Sequence, residues 1–135
     1  MFPAWPSFAP VSERRQRLGR RAEELGAGRL AAAGWEVVAR NARTRHGELD
    51  LIALDGRTLV FVEVKAGRAD ATQGPERPVL AIDSRKQRRV RRLAAAWMAA
   101  RRDLPRYAEI RCDAVGVTFD RNGRVVEYEH LEGAF

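Results

Sequence analysis

The sequence predicts a single α/β domain with a mixed central β-sheet flanked by helices. One helical segment is followed by three strand-like segments, a second helix and two more strand-like segments, an order typical of the α/β class. The middle strands are apolar on both faces, as expected of central strands covered by helices. A chain of 135 residues is long enough to bury one core of its own.

The first helix is expected to begin near Ser12, a suitable N-cap, and to run to about Ala33. Gly34 fits the position just past its end. Residues 1–11 are rich in proline and aromatic side chains and are predicted to form a flexible tail. The folded domain is therefore predicted to cover residues 12–135.

The first strand is predicted over residues 35–41, with Trp35, Val37 and Ala39 on one face. Two further strands are expected over residues 48–54 and 58–65. The dipeptide Asp55-Gly56 between them is typical of a hairpin turn.

Residues 66–81 are rich in Gly, Ala, Pro and charge, and are predicted to form a long loop. A second helix should follow, capped by Asp83 or Ser84. Its apolar residues recur with helical spacing, as expected of a helix packed on a sheet, at Val90, Leu93, Ala94 and Trp97. The last strands are predicted over residues 110–119 and 125–128, joined at Asn122-Gly123.

The net charge of +7 and the pI near 10.8 favour an anionic partner, with nucleic acid as the first candidate, although an arginine-rich solvated surface explains the charge equally well.

Cys112 is the only cysteine, so no intramolecular disulfide forms, and its strand pattern predicts a core position. The first residues lack the basic region of a secretory signal, and no apolar run is long enough to cross a bilayer. We therefore expect a cytoplasmic protein that does not bind membranes.

Two carboxylates and a lysine lie on the predicted hairpin, at Asp50, Glu63 and Lys65. A loop of Asp55-Gly56 sets Asp50 diagonal to Glu63, whereas a loop of Gly56-Arg57 sets the two directly opposite. Either register leaves all three side chains on one face, because paired residues point the same way.

Lysine is rare in this chain, which has 23 arginines and two lysines, Lys65 and Lys86. Arginine cannot lose its proton or act as a compact point charge, and lysine can do both. Retention of lysine at position 65 therefore indicates a need for lysine chemistry there, with chance survival in a biased genome as the alternative.

Two carboxylates at such a short distance repel each other, so one takes a proton or a cation lies between them. Oxygen ligands favour Mg²⁺ or Mn²⁺. With Lys65 beside such an ion to orient a water or stabilise charge on a phosphate, the group suits phosphodiester hydrolysis. The alternative is an ion-pair cluster without catalysis.

These residues resemble the YraN-like family of small bacterial proteins, assigned as endonucleases of the PD-(D/E)XK superfamily and related to archaeal Holliday-junction resolvases. The resemblance covers about residues 19–117. Its markers are Gly19, Ala22-Glu23, Leu30, Gly34-Trp35, Asn41-x-Arg43, residues 47–52, residues 61–65, Lys86, Ala94, Trp97 and Arg111-x-Asp113. Two residues depart from the pattern: Leu49 replaces the proline of the motif's name, and Cys112 replaces an expected phenylalanine.

The resemblance implies a restriction-endonuclease-like core and a metal site. Asp50 and Glu63 would ligate Mg²⁺ or Mn²⁺ with the backbone carbonyl of Val64, and Lys65 would position the attacking water. Glu23 on the first helix matches an acidic residue that approaches the same site in the resolvase-like branch, although its sequence position alone favours a solvated residue.

Basic residues surround this site in the sequence. Arg43 and Arg45 lead into the Asp50 strand, where they are placed to contact phosphates. The second helix carries a row of cations near its start, from which we predict nucleic-acid contacts by Arg85, Lys86 and Arg89. A solvated helix face is the alternative.

The sequence therefore predicts a metal-dependent endonuclease acting on DNA, with branched or junction DNA as a candidate substrate. A two-fold dimer would suit paired cuts across a junction, by analogy of fold. A nuclease-fold protein that binds nucleic acid without cutting it is the alternative, followed by a module that holds an acidic protein.

Overall fold

The computed structural model describes residues 11–70 and 77–135, which form a five-stranded mixed sheet with one α-helix on each face. The elements in chain order are α1 (Val11–Ala32), β1 (Glu36–Thr44), β2 (Gly47–Asp55), β3 (Thr58–Arg68), a 3₁₀ helix (Pro78–Ala81), α2 (Ser84–Ala100), β4 (Glu109–Phe119) and β5 (Val125–Leu131). The strands lie side by side in sequence order. Strands β3 and β4 are parallel and the other neighbours are antiparallel, which confirms the predicted fold class.

The central strand β3 divides the hydrophobic core into two halves. Val60, Val62 and Val64 point to one side and pack with α1, in what we call the α1-side core. Leu59 and Phe61 point to the other side and pack with α2, in the α2-side core. Both faces of β3 are buried because a helix covers each, as its doubly apolar sequence predicted.

Helix α1 already includes Val11, one residue before the predicted start. Residues 1–10 of the predicted tail and the Ser12 side chain lie outside the described part of the chain. At the other end Gly34 has a φ of +91°, and the Trp35 N–H donates to the Leu30 carbonyl at 3.0 Å. This is the left-handed helix termination predicted for Gly34.

The bounds predicted for the loop, residues 66–81, are wrong at both ends, because β3 runs to Arg68 and a 3₁₀ helix forms over Pro78–Ala81. Strand β3 continues to Arg68, because its parallel pairing with β4 continues to Arg68 and Phe119. The 3₁₀ helix then packs directly on the sheet backbone, where a Cβ on Gly116 would lie 2.9 Å from Val79 Cγ1. The sequence pattern did not reveal this close approach, and residues 71–76 lie outside the described residues.

Helix α2 begins after Asp83, whose Oδ1 accepts a hydrogen bond from the Lys86 N–H at 2.9 Å. Asp83, rather than Ser84, is therefore the N-cap. The four predicted apolar residues of this helix are all buried, and Trp97 packs edge-on against Phe61 with ring centroids 5.9 Å apart. Cys112 is buried nearby, as predicted, and burial raises the pKa of its thiol.

The first strand, predicted over residues 35–41, spans Glu36–Thr44, and Trp35, Val37 and Ala39 do not share one face. The pairing with β2 shifts between Val37 and Ala39, so that Val37 packs in the α1-side core and Ala39 in the α2-side core. Such a bulge changes the alternation of side chains. No helix within the described ranges is long and apolar enough to cross a bilayer.

Candidate active site

The hairpin of β2 and β3 brings the predicted catalytic residues together. Asp55 pairs with Thr58, so that Gly56 and Arg57 form the turn, and the pairing continues to Leu51 and Val62. This is the second of the two predicted registers. One residue further, Asp50 and Glu63 would face each other, but the regular backbone pairing has ended there.

Asp50 takes over a backbone hydrogen bond where the pairing ends. Its Oδ2 accepts a hydrogen bond from the Val64 N–H at 2.8 Å. A carboxylate held by a backbone donor of the next strand has little freedom to rotate. The half-buried Asp50 side chain is therefore fixed against β3.

Glu63 is half-buried and its carboxyl group hydrogen-bonds to that of Asp50. Burial, together with the negative charge of Asp50, raises the pKa of Glu63 from 4.5 to about 8. Burial also raises the pKa of Asp50, against the effect of the Val64 N–H bond. A hydrogen bond between two carboxyl groups needs a proton on one of them, and the raised pKa of Glu63 favours a proton there.

Lys65 lies on the same side of β3 as Glu63, two residues along the strand. Its positive charge lowers the pKa of both Asp50 and Glu63, so the ammonium group lies close enough to favour their ionised forms. The three predicted residues therefore form one cluster, with the cation beside the carboxylate pair.

Glu23 joins this cluster from α1. Its half-buried carboxyl group hydrogen-bonds to Asp50, and burial together with the Asp50 charge raises its pKa from 4.5 to about 7. The solvated position that its sequence context favoured is therefore wrong. The implied approach of Glu23 to Asp50 is present in the structure.

Asn41 and Glu48 complete the cluster, and sequence reasoning assigned no role in it to Asn41. In the amide orientation that its neighbours favour, the Asn41 side-chain nitrogen donates to Glu23 Oε2 at 2.8 Å and to Glu48 Oε1 at 3.1 Å. Glu48 is exposed, and its charge also raises the pKa of Glu23. The only sequence signal was the presence of Asn41 among the family markers.

The oxygen atoms of this cluster suit a hard divalent cation. Two carboxyl groups share a half-buried space, and burial raises the pKa of both because it disfavours their charged forms. A cation between them would replace the shared proton. Among the described residues no group of three or more His, Cys, Asp or Glu side chains is arranged to hold a metal ion. A site here would therefore rest on Asp50, Glu63 and a backbone carbonyl such as that of Val64.

Arg89 links the carboxylates to the basic surface. Its charge lowers the pKa of Glu63, and a Cβ on Gly47 would lie 2.9 Å from its Nη2 atom. The guanidinium therefore lies against the start of β2, close enough to Glu63 to favour its ionised form. Gly47 has a φ of +145° and leaves the space that this arginine occupies.

The other residues predicted to contact nucleic acid differ in their exposure. Arg43, Arg45 and Arg85 are exposed. Lys86 is half-buried, and its Nζ donates to the carbonyl of Ala81 at 3.0 Å. The second lysine of the chain therefore holds the turn before α2.

A second charged cluster surrounds Asp113, which sequence reasoning noted only as a family marker. Asp113 is fully buried and accepts hydrogen bonds from Arg111 Nε at 2.8 Å and the Gly133 N–H at 2.9 Å. His130 Nε2 lies 2.8 Å from its other oxygen. These bonds lower the pKa of Asp113 below its usual range despite its burial.

Comparison with known proteins places this site within one protein family. Residues 22–117 match the family model described as "Uncharacterised protein family UPF0102". A UPF0102 protein of Parafrankia sp. (strain EAN1pec) is 46% identical over 121 residues, which cover 89% of this chain and 97% of that protein. A UPF0102 protein of Geobacter metallireducens is 38% identical over 125 residues, or 93% and 97% of the two chains. Another, of Nocardia farcinica, is 46% identical over 121 residues, or 90% and 91%.

Proposed function

The chain belongs to the UPF0102 (YraN) family, and we propose that it is a metal-dependent endonuclease that hydrolyses phosphodiester bonds of DNA. The observation that carries the proposal is the Asp50–Glu63 carboxyl pair beside Lys65, anchored by the Val64 N–H. A fixed carboxylate pair with raised pKa values and an adjacent cation is the arrangement expected of a catalytic site.

The carboxylates of Asp50 and Glu63 would hold Mg²⁺ or Mn²⁺, together with the carbonyl of Val64. A divalent ion bound there supplies Lewis-acid stabilisation of negative charge on the scissile phosphate. The hydrogen bond from Val64 to Asp50 fixes one ligand before the ion binds, which reduces the cost of ordering the site.

Lys65 would act on the water and on the phosphate. Its ammonium group lies beside the carboxylates, where it can orient a water for attack and stabilise charge that develops on the phosphate oxygens. Lysine suits this role because its charge is compact and its amine is able to release a proton.

The exposed arginines near the site would bind the DNA backbone. Arg43 and Arg45 lie at the β1–β2 turn, Arg85 lies in the first turn of α2, and Arg89 extends from α2 toward Gly47 and Glu63. Contacts of this kind bind phosphates with little regard to sequence and weaken with salt. This favours recognition of DNA shape, such as branched DNA, over recognition of a base sequence.

A cleavage assay on branched and linear DNA with Mg²⁺ or Mn²⁺ tests the proposal. We expect wild-type protein to cut at least one substrate, and Asp50→Ala and Lys65→Ala to cut none while still binding DNA. Arg102→Ala, an exposed cation beyond the end of α2, is the matched control and should cut as wild type does. Salt-dependent binding without cleavage on any substrate would instead show a nuclease-fold protein that only binds nucleic acid.

A further inference from the structure

Asn41 has an unusual backbone conformation for its place in the fold. It lies within the edge strand β1, yet its φ is +49°, and it is the one non-glycine residue with a positive φ among those that the structure describes. The left-handed region is costly for residues with a Cβ and persists where the surroundings require it.

The strand pairing places this residue across from Asp50. Arg40 pairs with Leu51 and Ala42 pairs with Leu49, so that Asn41 and Asp50 lie between these two pairs. The conformational irregularity of β1 therefore coincides with the central carboxylate of the proposed site.

Both strands change the face that they present at this point. Regular alternation would put Leu49 on the same face as Leu51, but Leu51 packs in the α1-side core and Leu49 in the α2-side core. Ala42, the partner of Leu49, also packs against the α2-side core. The twist at this point explains how Asp50 meets both Glu23 from α1 and Glu63 from β3.

The Asn41 side chain adds a second constraint on the same group. Its amide nitrogen donates to Glu23 Oε2 at 2.8 Å and to Glu48 Oε1 at 3.1 Å, so that it ties helix α1 to the end of β2. Without this donor, three neighbouring carboxyl groups would repel one another, and only the hydrogen bond between their own carboxyl groups would hold Glu23 toward Asp50.

We propose that Asn41 is a positioning residue of the site: its left-handed backbone lets Asp50 contact groups from both faces of the sheet, and its amide holds Glu23 against Asp50. This inference rests on the proposed function, because the position of Glu23 matters through the divalent ion that the carboxylates hold. It assigns Asn41 no contact with the DNA.

Titration of the metal-free protein with Mn²⁺ by calorimetry, without DNA, tests this role. Asn41→Gly keeps the positive φ at no steric cost but removes the amide. We expect it to melt near the wild-type temperature, to bind DNA in EDTA as wild type does, and to bind Mn²⁺ about 10-fold to 100-fold more weakly, the usual loss for a group that orients a metal ligand. Asn122→Gly, in the β4–β5 turn, is the matched control and should bind Mn²⁺ normally.

A double-mutant cycle separates positioning through Glu23 from a general structural effect. In the Glu23→Gln background, Asn41→Gly should weaken Mn²⁺ binding no further, because the group on which it acts is already neutral. Should Asn41→Gly not fold, Asn41→Asp replaces it, since aspartate also tolerates the left-handed region but turns a carboxylate toward Glu23.

Two contrary results have different meanings. Wild-type Mn²⁺ affinity in Asn41→Gly, while Glu63→Gln loses binding, would overturn the role of Asn41 and leave the proposed function intact. Equal Mn²⁺ affinity in wild type and Glu63→Gln, or no Mn²⁺ binding by wild type, would overturn both.

Discussion

Single residues account for the electrostatics of the site, and the raised pKa of Glu63 predicts how stability depends on pH. Its pKa is about 8 in the folded protein and 4.5 ordinarily, so the folded state retains a proton that the unfolded state loses. The stabilising effect of protonated Glu63 is complete below pH 4.5 and is lost as the pH rises through 8. The free energy of unfolding of metal-free protein should therefore fall between about pH 5 and pH 8.

Thermal unfolding of Glu63→Gln in EDTA across that range checks this expectation. The neutral amide removes the titrating group, so the pH dependence should be smaller than in wild type. Glu24→Gln, beside Glu23 on α1 but exposed, should keep the wild-type profile. A wild-type profile in Glu63→Gln would mean that Glu63 does not retain its proton in the folded state.

The sequence predicted which residues of the β2–β3 hairpin form the site, but not the contacts that reach it from β1 and α1. Asp50, Glu63 and Lys65 could be predicted to meet because pairing and alternation are local consequences of a hairpin. The contacts of Asn41 and Glu23 could not, because they depend on a left-handed residue and on where α1 packs across the sheet. Neither has a periodic signal in the chain.

Gly116 permits a close contact between two elements, whereas Gly28 has no close neighbour. Substitutions at these two glycines should therefore have opposite effects on the free energy of unfolding. A Cβ at Gly116 would lie 2.9 Å from Val79 Cγ1 and 3.1 Å from the Val79 backbone nitrogen, so Gly116→Ala should lower the free energy of unfolding by about 1–3 kcal/mol. Gly28, exposed in α1, has no neighbour within 4 Å of such a Cβ. Gly28→Ala should therefore raise that free energy by about 0.5–1 kcal/mol.

Urea unfolding of the two variants beside wild type measures both changes. The prediction fails if Gly116→Ala is as stable as wild type, since the 3₁₀ helix would then have room to move away from β4.

The bounds of the elements could be predicted from the sequence only where they depend on nearby residues. The N-cap and the apolar face of α2 have local sequence signals, whereas the continuation of β3 to Arg68 depends on pairing with β4, a strand distant in the sequence.

In the molecule as a whole, the buried Asp113 cluster joins β4 to β5 and to the last residues of the chain. Asp113→Ala leaves Arg111 and His130 without their buried partner and should lower the free energy of unfolding by about 3–5 kcal/mol. Asp103→Ala, an exposed control, should change it by about 0.5 kcal/mol or less. Chemical denaturation at pH 7 measures both values.

Acid should weaken the same cluster. Because the pKa of Asp113 is lowered in the folded protein, its contribution is present above its ordinary pKa and is lost as the pH falls through the folded value. The stability difference between wild type and Asp113→Ala should therefore shrink in acid. A difference that is independent of pH would contradict this account of the ion pairs.

Net charge also acts at the scale of the molecule. With +7 charges and exposed arginines beside the site, DNA binding should weaken steeply with salt. Replacing Arg43, Arg45 and Arg85 by alanine together should reduce the slope of log affinity against log salt by up to about 0.9 for each phosphate that the protein no longer neutralises. An unchanged slope in fluorescence-anisotropy titrations would place the DNA on another surface.

In the proposed mechanism, Asp50 and Glu63 hold a divalent ion for phosphodiester hydrolysis beside Lys65. Single-turnover cleavage at saturating protein, followed as the Mg²⁺ concentration is increased, tests this mechanism with Asp50→Asn, a variant of nearly unchanged shape. We predict a Mg²⁺-dependent rate in wild type and in Asp103→Asn, and a rate at least about 100-fold lower in Asp50→Asn at equal DNA binding, the effect of removing one strong catalytic group. Cleavage by Asp50→Asn at the wild-type rate and with the wild-type Mg²⁺ dependence would show that Asp50 does not hold the catalytic ion.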